Sequence, residues 1–176
     1  RKKDKEGELK SIELYMQLTA KIEAFEAKLL AACAPHIKCA RGCSACCILE
    51  SVFPVEAWNI YSTITSGPGS FTVRAPGREQ GRCVFLSGGE CSIYACRPVI
   101  CRTHGYPIMA EGRVDFCPEN FKGVSSIDSG FILDLDALNR ALVSINRIFL
   151  DENRDEFFTS ERIILADLKA RIPEVP

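Results

Sequence analysis

Apolar residues recur every three or four positions over residues 9–33: Leu9, Ile12, Met16, Ile22, Phe25, Leu29 and Cys33 stand between Lys, Glu and other polar residues. Side chains at that spacing share one face of a helix, so the pattern predicts a single long amphipathic helix whose apolar stripe packs inward. Pro35 predicts its end, because proline has no N–H with which to continue the ladder. A second helix is expected from Pro54, a residue suited to the first helical position, through Val55, Ala57, Trp58, Tyr61 and Ile64 to a stop at Gly67. Residues 66–82, with Gly67-Pro68-Gly69 and Pro76-Gly77, read as loop.

The periodicity returns near the C-terminus. Phe131, Leu135, Leu138, Leu142, Ile145 and Phe149 predict a third helix over about 131–150. A fourth is expected over about 159–171, capped by Thr159 or Ser160, with Ile164 and Leu168 turned inward. Asp134 and Asp136 ahead of the third apolar run read as capping or dipole-stabilising carboxylates. Between the second and third helices only Val114-Asp115-Phe116 suggests a strand. The expected fold is mainly α with little β: one small domain over 1–176, with a helix at 9–33 and a helical pair within 128–172 wrapped around an irregular, cysteine-rich metal-binding core at 36–118.

Composition limits the function classes. A chain of 176 residues can bury a useful core, and 47% hydrophobic with 26% charged residues is ordinary for a globular domain. The net charge of −1 supplies no field drawing the chain to nucleic acid or anionic lipid, and no basic stripe with interleaved aromatics occurs. No apolar run is long enough to span a membrane, and the charged Arg1–Lys10 segment lacks the apolar centre of a secretion signal. A cytoplasmic site, with no nucleic acid or membrane partner, is therefore expected. No phosphate-binding glycine loop or nucleophile elbow is present.

Ten cysteines change the picture: Cys33, Cys39, Cys43, Cys46, Cys47, Cys83, Cys91, Cys96, Cys101 and Cys117. Disulfides are one reading, but disulfide scaffolds serve shorter chains with poorer cores, whereas long amphipathic helices flank these cysteines. Metal binding is the favoured reading. If Cys39, Cys43, Cys46 and Cys47 lie on a helical turn, they share one face; Gly42 alternatively permits a knuckle. Crowded thiolates repel one another unless protonated, bridged or neutralised by a cation, and a metal resolves that conflict. Arg97 and Arg102, beside Cys96 and Cys101, are expected to direct N–H groups and positive charge at the sulfur site. Cys96 reads as a spare thiol beside the site, Cys33 as core, and His104 as a lesser candidate ligand. Tyr94 and Phe85 read as cover over the site.

Gly42-Cys43-Ser44-Ala45-Cys46-Cys47, then Cys83-Val84-Phe85-Leu86, Cys91-Ser92-Ile93-Tyr94, Arg97-Pro98 and Cys101-Arg102 follow one another in an order that resembles the CxxCxxCC family of zinc- or iron-chelating domains, also described as YkgJ-like cysteine-cluster proteins. The resemblance covers roughly residues 39–118. It implies a set of eight metal-ligating cysteines, which carried over position by position are Cys39, Cys43, Cys46, Cys47, Cys83, Cys91, Cys101 and Cys117. The first spacing departs from the family, with three residues rather than two between Cys39 and Cys43.

Eight thiolates allow two four-cysteine sites, one four-cysteine cluster with spares, or a bridged binuclear centre. Tetrahedral sulfur suits Zn2+ and a [4Fe–4S] cluster alike, so ligand type leaves both open. The expected function is metal binding in a structural, regulatory or storage role, with the helices available to a protein partner. The alternative is [4Fe–4S] redox or methyl-transfer chemistry, because some members of the resembling family are flagellin lysine N-methylases. No adenosylmethionine-binding glycine motif accompanies it here, so the sequence leans away from an enzyme.

Overall fold

The computed structural model describes residues 9–40, 42–66 and 81–173. The Gly67 stop and nearly all of the loop expected over 66–82 lie outside the described residues. Helix α1 (Lys10–Cys33) runs into a 3-10 turn, Ala34–His36, that carries Pro35. Its buried line is Ile12, Tyr15, Thr19, Ile22 and Leu29. Steps of three and four residues alternate along that line, and Glu26 falls in phase with it. Met16, expected on the inward stripe, is 53% exposed. It stands about 100° further round the helix than Tyr15, which takes the inward place.

After an irregular stretch come strand β1 (Ser51–Val52) and helix α2 (Pro54–Ser66), with proline at its first position. Glu56, almost fully buried, reaches back to accept the Phe53 N–H at 3.1 Å, the reciprocal bond of a capping box. Strands β2 (Leu86–Ser87) and β3 (Glu90–Cys91) form a hairpin closed by Gly88 and Gly89 at φ 59° and 80°. Both turn positions need a positive φ there, which glycine adopts without a Cβ penalty. Helix α3 (Val99–Thr103), strands β4 (Ile108–Ala110) and β5 (Arg113–Asp115), and strand β6 (Leu133–Asp134) follow. Strand β5 overlaps the short strand expected at 114–116.

Helix α4 (Leu135–Glu152) begins four residues later than its periodicity suggested. Asp134 fixes that start: its carboxylate accepts the Ala137 N–H at 2.8 Å, while Phe131 lies in a 3-10 turn before it. Asp136 instead accepts the Glu111 N–H at 3.0 Å. Strand β7 (Ile163–Ile164) and helix α5 (Leu165–Arg171) complete the chain. The helix expected from 159 therefore starts at Leu165, and neither Thr159 nor Ser160 caps it. Ile164, expected inside, is 47% exposed, and Ile163 is buried in its place. The cause is pairing of β7 with β1, where Val52 opposes Ile163 and alternate side chains take opposite faces.

The sheets are small: β1 with β7, β2 with β3, and β5-β4-β6, in which β4 pairs antiparallel with β5 and parallel with β6. The main core joins α1, α2, α4 and α5 through fully buried Tyr15, Ile60, Phe149, Phe158 and Leu168. Each such side chain contributes about 1.5–3 kcal/mol on leaving water. A smaller cluster, Leu29, Tyr106 and Phe121, lies at the far end of α1. Among the described residues no helix is long and apolar enough to cross a membrane.

Candidate metal centre

A cavity of about 550 Å³ opens between the two cysteine segments, with Cys39, Cys43, Cys46 and Cys47 on one wall and Cys83, Cys91 and Cys101 on the other. The first wall is not helical. The N–H of Cys43 donates to Ala40 O and that of Cys47 to Ser44 O, each at 3.0 Å, making two successive tight turns. Gly42 at φ 96° is outside helical geometry, so the single helical face considered for these four cysteines does not form. The Arg82 guanidinium donates to Ser44 O and Ala45 O, both at 3.0 Å, and the Cys83 N–H donates to Cys47 O at 2.9 Å. These bonds fasten the first cysteine segment to the second.

Cys91 lies on the β2–β3 hairpin opposite Leu86, and the Leu86 N–H donates back to Cys83 O at 2.9 Å. Cys101 lies on α3, whose Val99 N–H donates to the Glu56 carboxylate at 2.9 Å. One buried side chain thus ties the start of α2 to the start of the Cys101 helix.

Cys39 and Cys117 meet around Gly105 and Asn120. Asn120 is 1% exposed; its Oδ1 accepts the Lys38 and Cys39 N–H groups at 2.7 and 3.3 Å. Its Nδ2 donates to Gly105 O at 2.5 Å and to Cys39 Sγ at 3.3 Å. A Cβ on Gly105 would stand 2.6 Å from Cys39 Sγ and 3.5 Å from Cys117 Cβ, at a φ of +93°. Only glycine lets the two cysteines approach there. The Cys117 N–H closes the loop on Gly105 O at 3.3 Å.

The thiols feel one another. Burial first, then the charges of Cys83, Cys91 and Cys47, push Cys101 up to about 12, although the residue keeps exposed surface at the cavity mouth. Burial also raises Cys83 and Cys91, with nearby Cys83 and Cys47 adding to the rise at Cys91. Cys39 is raised by burial; the Asn120 amide opposes the rise, and Cys117 and Cys43 add to it. Cys46 is raised by burial, then by Cys47 and Cys43. A bound cation reverses this balance by favouring thiolate at every ligand.

Other expected residues take mixed places. Arg102 is spent on Glu23 at 2.6 Å, Arg97 O at 2.9 Å and Ala95 O at 3.0 Å. Arg97 lines the cavity, stacks 4.0 Å from the Tyr94 ring centroid and pairs with Glu26 at 3.3 Å, while its buried Nε has no hydrogen-bond partner. His104 is exposed on the cavity rim. Phe85 is fully buried in the main core, and Tyr94 is on the cavity wall. Cys96 is 3% exposed in the core, and burial pushes its thiol up to about 11. Cys33 packs against the smaller cluster around Leu29.

Glu23, Glu26, Glu56, Gly105 and Asn120 have no role in the sequence reading. Glu26 accepts both the Tyr106 hydroxyl at 2.5 Å and Arg97. Its only signal in the sequence is that it keeps phase with the buried line of α1. Asn120 and Gly105 act across 81 and 15 residues, where no local pattern marks them.

All ten cysteines are free thiols. Among the described residues no three Cys, His, Asp or Glu side chains converge tightly enough to hold an ion as they stand. What is gathered is seven cysteines lining one cavity, with a buried amide at Cys39 Sγ and an unpartnered guanidinium Nε on Arg97. That donor set fits a thiophilic metal or a metal–sulfur cluster better than a hard, oxygen-seeking cation. No curated protein and no solved structure matches the chain. Residues 38–118, which hold the seven cavity-lining cysteines together with Cys117, match the CxxCxxCC family, described as a "putative zinc- or iron-chelating domain", and it is to that family that this part of the chain is similar.

Proposed function

We propose that the chain is a metal-chelating module in which cysteine thiolates hold zinc or iron in a structural, regulatory or storage role. The observation that carries this reading is the convergence of seven cysteines, from segments far apart in sequence, on one cavity. With Cys117, held beside Cys39 at Gly105, they make the eight-cysteine ligand set. The described residues between 37 and 50 form turns but no helix or strand, so a bound metal would cross-link a part of the fold that has no helical or sheet ladder of its own. Zn2+ or a [4Fe–4S] cluster satisfies the same sulfur ligands. Arg97 contributes positive charge beside Cys91 and a spare N–H for a ligating sulfur. Within this reading the helices present their outer faces to a protein partner, and the site of action is the cytoplasm.

Cys43→Ser and Cys101→Ser should each lose metal and stability, whereas Cys33→Ser should keep its metal. Full metal in the Cys101 variant would remove that residue from the ligand set. A second reading is favoured by the size of the cavity, which exceeds what one ion fills and has Ile48, Leu49, Leu86 and Ile93 in its lining. In it, a [4Fe–4S] cluster serves redox or methyl-transfer chemistry on a molecule seated beside the sulfurs. Calorimetry with adenosylmethionine tests the methyl-transfer form, and absence of heat counts against it.

A further inference from the structure

The eight cysteines do not form one ring of equivalent donors. Cys39 and Cys117 are pinned together at Gly105 by Asn120 and by the Cys117 N–H bond to Gly105 O. Cys43 is one tight turn from Cys39 and, like Cys46, is exposed on the same loop. On the other side, the Cys83 N–H bond to Cys47 O joins those two residues, the β2–β3 hairpin brings Cys91 back beside Cys83, and α3 carries Cys101 to the same wall. The dividing line runs between Cys46 and Cys47. The Cys83 N–H bond to Cys47 O draws Cys47 to the second segment, whereas Cys46 stays with the exposed part of the first loop.

Resting on the chelation reading above, we propose that the cysteines form two separate four-thiolate centres: Cys39, Cys43, Cys46 and Cys117 hold one metal, and Cys47, Cys83, Cys91 and Cys101 hold a second. The electrostatic neighbours fall mostly within each group, although Cys46 feels Cys47 and Cys47 feels Cys43 across the line. Cys39 senses Cys117 and Cys43, whereas Cys101 senses Cys83, Cys91 and Cys47. The groups also differ in compensation. Arg82 acts on Cys47, Lys169 on Cys83 and Arg97 on Cys91, so three cations surround the second group. The first has the neutral Asn120 amide at Cys39. A four-thiolate site around a divalent ion carries net negative charge, and nearby cations stabilise it.

The test uses the full chain, purified anaerobically, stripped with chelator under reducing conditions and reloaded with zinc as the probe. The wild type should take two zinc per chain. A Cys39→Ser/Cys117→Ser double variant should keep one, as should a Cys91→Ser/Cys101→Ser double variant. Because either variant can fail to fold, the wild type is also loaded with one equivalent, and its cysteines are mapped by alkylation and mass spectrometry. Molecules protected at Cys47, Cys83, Cys91 and Cys101 as a set, or at Cys39, Cys43, Cys46 and Cys117 as a set, with the other four still reactive, support the division. Molecules in which members of both sets are protected together at one equivalent, or loss of both zinc in each double variant, overturn it in favour of a single bridged centre. A wild type that binds no zinc and no iron overturns the chelation reading itself, and the division with it.

Discussion

Replacing Asn120 by alanine should damage the metal centre and the fold together. The side chain is 1% exposed and makes four hydrogen bonds, to Lys38 N, Cys39 N, Gly105 O and Cys39 Sγ. Alanine removes all four and leaves the Lys38 and Cys39 N–H groups unpaired, while Gly105 O keeps the Cys117 N–H. Each buried polar group left unpaired costs about 1–3 kcal/mol. Partial relaxation of the exposed Lys38 side of the loop, and admission of water, reduce a simple sum, so the expected loss is about 3 kcal/mol. Urea unfolding followed by circular dichroism would read it as a lower midpoint at unchanged slope. Alkylation of Cys39 should quicken in the same variant, because its sulfur loses the amide that orients it. Asn120→Asp separates the two roles: it keeps the acceptor for both N–H groups, but it removes the donors and sets a negative charge beside the sulfur. A loss in Asn120→Ala below about 0.5 kcal/mol, the range of an ordinary surface change, would refute the reasoning.

Three further outcomes follow from the same geometry. Gly105→Ala should cost about 1–3 kcal/mol for its left-handed backbone alone and should also displace Cys39, which the new Cβ would meet at 2.6 Å; an unchanged metal content per chain would contradict this. Glu26→Ala strands the Tyr106 hydroxyl and Arg97, and with Glu26 partly open to water the loss should be about 2 kcal/mol in thermal unfolding, with Glu26→Gln intermediate. The Glu152 carboxyl is held below its ordinary value of 4.5 chiefly by the Ser11 N–H and hydroxyl, so its stabilising contribution is complete above that value and lost as pH falls through the lowered one; Glu152→Gln should flatten this part of the acid limb, and an unaltered limb would count against the bond.

The helices were legible where periodicity is local. The spans of α1 and α2 follow from the spacing of apolar residues and from Pro35 and Pro54, which act on their own backbone. The inner face of α1 was misjudged at Met16 because a stripe of fourth-position steps and one of alternating three- and four-residue steps differ by a single residue there. The alternating line through Ile12, Tyr15, Thr19 and Ile22 appears only when α4 packs against it. Ile164 was misplaced for a different reason: its face is set by pairing with Ser51, more than a hundred residues away, and not by the helix that follows. At the candidate site, residue type carried the reading. Cysteines at close spacing announce sulfur chemistry wherever the chain takes them. The residues that hold those cysteines announce nothing: Asn120, Gly105 and Glu56 are ordinary in sequence and gain their roles from contacts across the fold.

The most direct test of the account is metal content measured together with thiol count on this 176-residue chain purified without oxygen. The account predicts bound zinc, or iron with matching inorganic sulfide and visible charge-transfer absorbance, and all ten cysteines reactive once the protein is unfolded with chelator. Protein free of both metals, with its thiols consumed in disulfides, would contradict it.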